Sequence, residues 1–352
     1  MTLHIKYIKA FCLQVQQLKS ILTALSVLLF HLANAQDIHF SQFSLSPMNV
    51  NPAYTALFDG DVRFVGNYRN QWFNVPVNYN TVSISADGKV YQLKNSDKIG
   101  GGISFYYDRA GDSRFTSLQA LAQFSYLLNF GKDNKHTIGA GFNVGVGNRS
   151  VQYQYLYFDN QYNGDRFDGN LLPNEDFPKS TFTYPDIGAG LSYQFQKSTR
   201  QNFVIGFSMQ HLNQPAQSFF DDKSVKLDIR YTIHSCFRWK VHKKLDIVPQ
   251  AFFQSQDTKY ELAFGFHTKA YIFRQKTANI CLNTGLYYRN NDAVYFLIGM
   301  DYNAWQVNLS YDINTSRFKP ATNTYGAVEA SVIYILSKIK NVNSAGSNCE
   351  IF

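Results

Sequence analysis

Three histidines stand where chemistry is conceivable: His211, His234 and His267. Nucleophilic catalysis needs a base within hydrogen-bond reach of a hydroxyl or thiol, and a third group to orient that base. His234 is followed by Ser235 and Cys236. Neighbours on a strand point to opposite faces, so His234 and Ser235 cannot work as a pair there. His211 and His267 fall near predicted strand ends, and no carboxylate pair recurs at a spacing that defines one site. The cysteines are Cys12, Cys236, Cys281 and Cys349. Their wide spacing supports neither a metal-binding motif nor a disulfide framework. Asp159, Asp165, Asp168, Glu175 and Asp176 crowd one connection, but without the ordered ligand spacing of a calcium loop. The expectation is a protein that is not an enzyme and needs no cofactor or metal. No cluster of Lys and Arg with interleaved aromatics suggests nucleic acid.

The composition points elsewhere. Aromatics make up 16% of the 352 residues, with 30 Phe and 24 Tyr, while charged residues are only 16%. A soluble surface normally carries more charge. A transmembrane barrel does not, because a broad outer band faces lipid between aromatic girdles. The N-terminus reads as a signal peptide, residues 1–35. Lys6, Lys9 and Lys19 form its basic region, Ile21 to Phe30 its apolar core, and Ala33-Asn34-Ala35 its cleavage site. Removing those three lysines lowers the net charge from +8 to +5. Cys12 leaves too, and an odd number of cysteines remains.

Beyond the signal, stretches of about ten residues alternate strictly in polarity between short polar turns, the signature of membrane-spanning strands. In Leu227 to Trp239, one face holds Leu227, Ile229, Tyr231, Ile233, Phe237 and Trp239, and the other Asp228, Arg230, Thr232, His234 and Arg238. Trp305 to Ile313 sets apolar residues against Gln306, Asn308, Ser310 and Asp312; Tyr325 to Leu336 sets them against Glu329 and Ser331. Cys236 and Cys281 fall on the inward phase. So do Gly139, Gly141 and Gly145 in Ile138 to Val146, where glycine relieves crowding. About fourteen such segments run over 61–337, and an even number closes an antiparallel barrel with its first and last strands ending together. Connections alternate long and short, the outer-membrane pattern of long extracellular loops and short periplasmic turns. The long ones include Gln71–Asn78, Ser150–Pro185 and His211–Ser224. Ser150–Pro185 is either a solvated loop or a lid over the mouth.

One run precedes the strands: His39-Phe40-Ser41-Gln42-Phe43, Asn51-Pro52-Ala53-Tyr54-Thr55, and Tyr68-Arg69-Asn70-Gln71-Trp72. Later come Phe158-Asp159-Asn160-Gln161 with Asp165 and Phe167-Asp168, then His211-Leu212-Asn213-Gln214-Pro215. Gly285-Leu286-Tyr287-Tyr288-Arg289, Ser310-Tyr311-Asp312-Ile313-Asn314 and Glu329-Ala330-Ser331 follow, and the chain ends Cys349-Glu350-Ile351-Phe352. In order and spacing these resemble the motifs of the PorP/SprF family, outer-membrane barrels of the type IX secretion system of Bacteroidota; Glu350 stands where the family often has Pro.

The resemblance implies a fourteen-stranded outer-membrane barrel that works with the secretion or gliding machinery. It also implies that the barrel binds a secreted protein or adhesin at the cell surface through that partner's C-terminal domain. On this reading the partner-binding candidates are Trp72, Asp159, Gln161, Asp165, Asp168, His211, Gln214 and Pro215. The N-terminal motif comprises His39, Phe40, Ser41, Gln42, Asn51, Pro52 and Arg69. Residues 36–60 form a periplasmic segment that Asn51-Pro52-Ala53 tucks against or into the barrel, or a lumen plug that only stabilises it. Both termini, including the tail 338–352, are expected in the periplasm. The other reading is a passive pore for small solutes, its lumen lined by Gln123, Lys226, Arg230, Arg238 and Asn308. A wet lumen further predicts that Ser331→Arg is tolerated while Val332→Arg, facing lipid, is not.

Overall fold

The computed structural model describes residues 37–75, 78–93, 96–175, 178–274 and 279–337. The expected signal peptide, Asp176, Cys349 and the tail 338–352 lie outside these residues. Fourteen strands run in chain order: β1 Val62–Gln71, β2 Tyr79–Gln92, β3 Lys98–Ala110, β4 Phe115–Phe130, β5 His136–Ser150, β6 Thr181–Ser198 and β7 Gln201–Gln210. The series continues with β8 Arg230–His242, β9 Leu245–Gln256, β10 Lys259–Arg274, β11 Asn279–Arg289, β12 Ala293–Tyr302, β13 Trp305–Asn314 and β14 Tyr325–Leu336. Each pairs antiparallel with its neighbours in sequence, and β1 pairs with both β2 and β14, closing the barrel.

The period-two pattern builds this wall because successive side chains leave a strand on opposite faces. Outward go Phe64, Tyr68, Ile84, Ile103, Phe105, Phe142, Leu191, Phe296 and Leu309, all exposed. Inward go Arg63, Asn67, Arg69, Ser83, Asp87, Gln123, Arg238, Asp312 and Glu329, all buried. This is the reverse of a water-soluble protein, and it suits an apolar solvent outside. Tyr302, Trp305 and Trp239 mark one rim of the apolar band, and Tyr68, Tyr231 and Tyr325 the other.

One end carries short turns such as 199–200, 243–244 and 303–304; the other carries 151–180, 211–229 and 315–324. β8 begins at Arg230, not at Leu227. Residues 215–227 fold back on themselves instead, with Leu227 N donating to Pro215 O at 2.9 Å and Ala216 bridging Lys226. A loop hairpin alternates with the same period as a spanning strand, so the pattern ran past the wall. Lys226 is therefore exposed in a loop and does not line the lumen.

The interior is plugged, with a cavity of about 220 Å³ left at the short-turn end between Leu57, Phe58, Asn129, Thr137 and Asn202. From Ile38 the chain runs through three short helical turns, Phe43–Leu45, Pro47–Val50 and Pro52–Tyr54, before β1 begins. Its partners are inward side chains from all around the wall. It passes from the long-loop end, where Ile38 and Phe40 pack on Tyr106 and Leu121, to the short-turn end, where Asp61 N donates to Leu336 O. The even strand number puts the start of β1 and the end of β14 together, as expected. The plug carries the described start of the chain to the opposite end.

Candidate functional site

Three groups of contacts hold the plug. At the long-loop end, Glu329 accepts from the backbone N–H groups of Ser41, 2.8 Å, and Gln42, 2.9 Å. The Ser41 hydroxyl donates to Asp312 Oδ2 at 2.7 Å and accepts from Arg289 Nη1 at 2.9 Å and from Arg69 Nη1. Arg69 lies 3.2 Å from both Asp312 and Glu329, and Arg289 2.8 Å from Asp312. Gln42 exchanges bonds with Ser310 and Ser331. Two guanidinium groups thus face two carboxylates with almost no solvent. Such a cluster is tolerable because each buried carboxylate meets a guanidinium, with Arg289 also reaching Asp292, and the backbone and hydroxyl donors of the plug complete it.

Midway, Asn51 reaches the wall itself. Its Nδ2 donates to Leu191 O at 3.0 Å and Phe207 O at 3.2 Å, while its Oδ1 accepts from Ala53 N at 2.8 Å and opens the turn at Pro52. The wall makes room by having no side chains there. A Cβ at Gly141 would lie 2.5 Å from Ala53 N, one at Gly190 would collide with Asn51 Oδ1, and one at Gly102 would sit 2.8 Å from Met48 Cε. Inward glycines that read as crowding relief in the sequence are the seat of the Asn51-Pro52-Ala53 turn. Gln123, Ser208 and Arg230 donate to the carbonyls of Met48, Val50 and Asn49. Phe43 stacks on Phe252 at 4.9 Å, and Tyr54 meets the His234 ring edge-on at 4.7 Å.

At the short-turn end, Arg63 and Asp87 form a buried two-point ion pair, 2.8 and 2.9 Å. Asp87 also accepts from Ala56 N at 2.8 Å, Arg63 donates to Tyr54 O at 3.1 Å, and Ser125 donates to Thr55 O at 2.6 Å. The lumen residues expected to line a pore are committed elsewhere: Gln123 and Arg230 hold the plug, and Arg238 pairs with Asp246 at 3.0 Å. Asn308 is buried. Ser331 is fully buried against Gln42, so the expectation that an arginine would be tolerated there is corrected: the space is protein, not water.

The N-terminal motif residues come together in this assembly. Phe40, Ser41, Gln42, Asn51 and Pro52 are buried in it, His39 is half-buried beside them, and Arg69 closes the ionic cluster. The partner-binding candidates divide. Trp72 packs against Tyr79 and Phe318, each at 4.9 Å, as part of the wall rim. Gln161 is buried and folds its own loop, accepting from Phe158 N at 3.1 Å and donating to Leu171 O at 3.0 Å. Asp168 N donates to Gln161 O, and its carboxylate accepts from Asn170 N. His211 is buried, with Nδ1 2.8 Å from Asp186, and Pro215 is buried. Trp72, Gln161, Asp168, His211 and Pro215 thus make contacts within the mouth itself. Asp159, Asp165 and Gln214 are exposed.

Around them lie residues that the motifs did not single out. Tyr157 is 77% exposed, Leu172 79%, Phe220 64% and Tyr162 57%. Lys179 pairs with Asp221 and ties the 151–180 loop to the β7–β8 loop, which also packs on the start of β6 through the Phe182–Phe219 contact at 4.8 Å. In the latter loop, hydrogen bonds from the Ser224 hydroxyl and N–H hold the Asp222 carboxyl below the usual carboxylate range. Sequence reasoning also left Arg63–Asp87 and the ionic cluster unassembled. Their one signal was charge on the inward phase: Asp312 and Glu329 lie there, in motifs far from Ser41 in the chain.

Cys236 and Cys281 are buried on the inward face, where Cys236 Sγ accepts from Gln250 at 3.3 Å. His267 lies 2.8 Å from the Tyr287 hydroxyl. Among the described residues no group of three or more His, Cys, Asp or Glu side chains could hold a metal ion.

Among solved structures, the chain is similar to the toluene transporter TbuX of Ralstonia pickettii, at 12% identity and a TM-score of 0.49, covering 82% of this chain and 92% of that one. It is also similar to the toluene transporter TodX of Pseudomonas putida, at 10% identity and a TM-score of 0.46, covering 85% and 94%. No curated protein matches its sequence. The family model described as "Type IX secretion system membrane protein PorP/SprF" matches residues 32–334, and the chain, an outer-membrane β-barrel, belongs to that family.

Proposed function

We infer that the protein is a plugged barrel that holds a secreted cargo or adhesin at the cell surface through the cargo's C-terminal domain, beside the type IX secretion or gliding machinery. One observation carries this reading: the chain's own segment from Ile38 to Gly60 fills the lumen and is bonded to the wall along its whole length. A barrel used for solute flow needs the space that this one fills with side chains and backbone. The role then falls to the mouth, where the long-loop end faces outward from the cell. Tyr157, Tyr162, Leu172 and Phe220 offer apolar contact there, with Asp159, Asp165 and Gln214 as the polar rim. Exposed aromatics ringed by polar groups are the usual make-up of a protein-binding patch. The role is one of attachment, without catalysis.

The test replaces 151–180 with a short Gly/Ser linker and follows both barrel and cargo in fractionated cells. The expected result is a barrel still inserted in the outer membrane and a cargo released to the medium. Cargo retained at the wild-type level removes this loop from the account. A pull-down from solubilised outer membranes identifies the partner; recovery of machinery without cargo would point to a general role in secretion.

A further inference from the structure

The outer wall has a gap in its apolar covering where β14, β1, β2 and β3 run side by side. In one row across the strands, Val332, Gly66, Ile84 and Phe105 stand side by side; in the next row stand Tyr334, Phe64, Ala86 and Ile103. Gly66 and Ala86 are diagonal neighbours on the outward face, and the missing side chains leave a groove of about 460 Å³. That is within the range of small-ligand sites, roughly 300–1,000 Å³. A Cβ at Gly66 would meet nothing within 4 Å, so the space belongs to the membrane side. The rim is Phe64, Ile84, Phe105, Val332 and, toward the short-turn end, Trp305 tilted against Tyr334 with ring centroids 4.5 Å apart.

We propose that this groove is a binding site for one acyl chain of a membrane phospholipid, from the leaflet at the short-turn end. The groove is part of the lipid-facing band, so lipid is the medium that meets it. Apart from the Tyr334 hydroxyl and the Trp305 indole N–H at the short-turn rim, its lining is apolar side chains and backbone already paired in the sheet, so the body of the groove offers no hydrogen bond that a polar ligand or peptide backbone would need. Left empty, it would forfeit dispersion contacts on every lining atom. A flexible hydrocarbon chain fills such a notch, which a rigid wall residue on the neighbouring strands does not. Trp305 and Tyr334 sit at the depth where aromatic side chains meet headgroups. Selection is by shape of the apolar chain, since no charged side chain lines the groove. This is independent of what the mouth binds.

The test uses the tryptophan already in the groove. The chain has three, Trp72, Trp239 and Trp305. With Trp72→Phe and Trp239→Phe, Trp305 alone reports. The barrel in detergent micelles is titrated with phosphatidylethanolamine brominated on its acyl chains, and fluorescence quenching is followed. The expected result is a saturable phase that is complete near one lipid per barrel and is lost in Gly66→Phe, whose new ring occupies the groove. Ala86→Leu fills the same space from the adjacent strand if the first variant fails to fold. A version that keeps only Trp239, on a different wall, should show weak quenching that does not saturate. Linear quenching of Trp305, as from bulk lipid or from a groove reserved for a partner's apolar segment, would overturn the proposal. So would a saturable phase that survives both filling substitutions.

Discussion

The plug and the long mouth loop are both irregular chain, yet they are built in opposite ways. The plug carries apolar, polar and charged contacts from end to end, and wall glycines are recessed to receive its backbone. The mouth loop spends its polar groups on itself, through Gln161 and Asp168, and leaves Tyr157 and Leu172 largely exposed. Buried backbone without regular structure must find partners for its N–H and C=O groups, and the plug finds them on the wall. A loop in water has no such constraint, so its apolar exposure is the feature that needs a reason. The motif-rich N-terminal run thus contributes stability, and the recognition proposed above falls to the less patterned loop.

Substitutions should separate the two. Arg69→Ala leaves Asp312 and Glu329 facing a single guanidinium in a dry site, and breaking a buried pair costs roughly 3–5 kcal/mol. The urea midpoint of barrels folded in liposomes should fall accordingly; an unchanged midpoint would mean that the plug is not held there. Val332→Arg, a charge on the lipid face, should cost about 2–4 kcal/mol near the midplane. Ser331→Arg should now also destabilise, and a tolerated Ser331→Arg would argue for a wet lumen. Gly141→Val pushes two methyls and a Cβ into the Ala53 backbone, an overpacking cost of typically 1–3 kcal/mol. The same change made at an outward, open position such as Gly66 should lack that penalty. The intact chain in planar bilayers should show almost no steady current, and a large one would restore the pore reading. Smallest in stability is Tyr157→Ala, expected within about 0.5 kcal/mol of the parent, yet with weaker cargo retention in whole cells. Loss of stability without loss of retention would invert the comparison.

Much of the wall is legible in the sequence. Inward Gln123, Arg238, Asp312 and Glu329 and outward Ile233, Phe237 and Val332 follow from a period of two, which survives whatever the strands pair with. The boundary of β8 did not, because the 215–227 hairpin alternates with the same period. The motif residues Ser41, Arg69, Arg289, Asp312 and Glu329 were visible as separate motifs, but nothing in their spacing says that they meet.

The sequence by itself determined a closed wall of alternating strands, its lipid-facing side, and the family whose motifs recur along it, because these depend on local periodicity and on residue order. Only the tertiary structure decided that the lumen is filled, that inward glycines receive the turn at Pro52, and that two arginines and two carboxylates from four strands converge on Ser41. Those facts depend on the closure that pairs β1 with β14 and sets Arg69 beside Glu329, and on the path of the plug past the wall, neither of which local periodicity fixes.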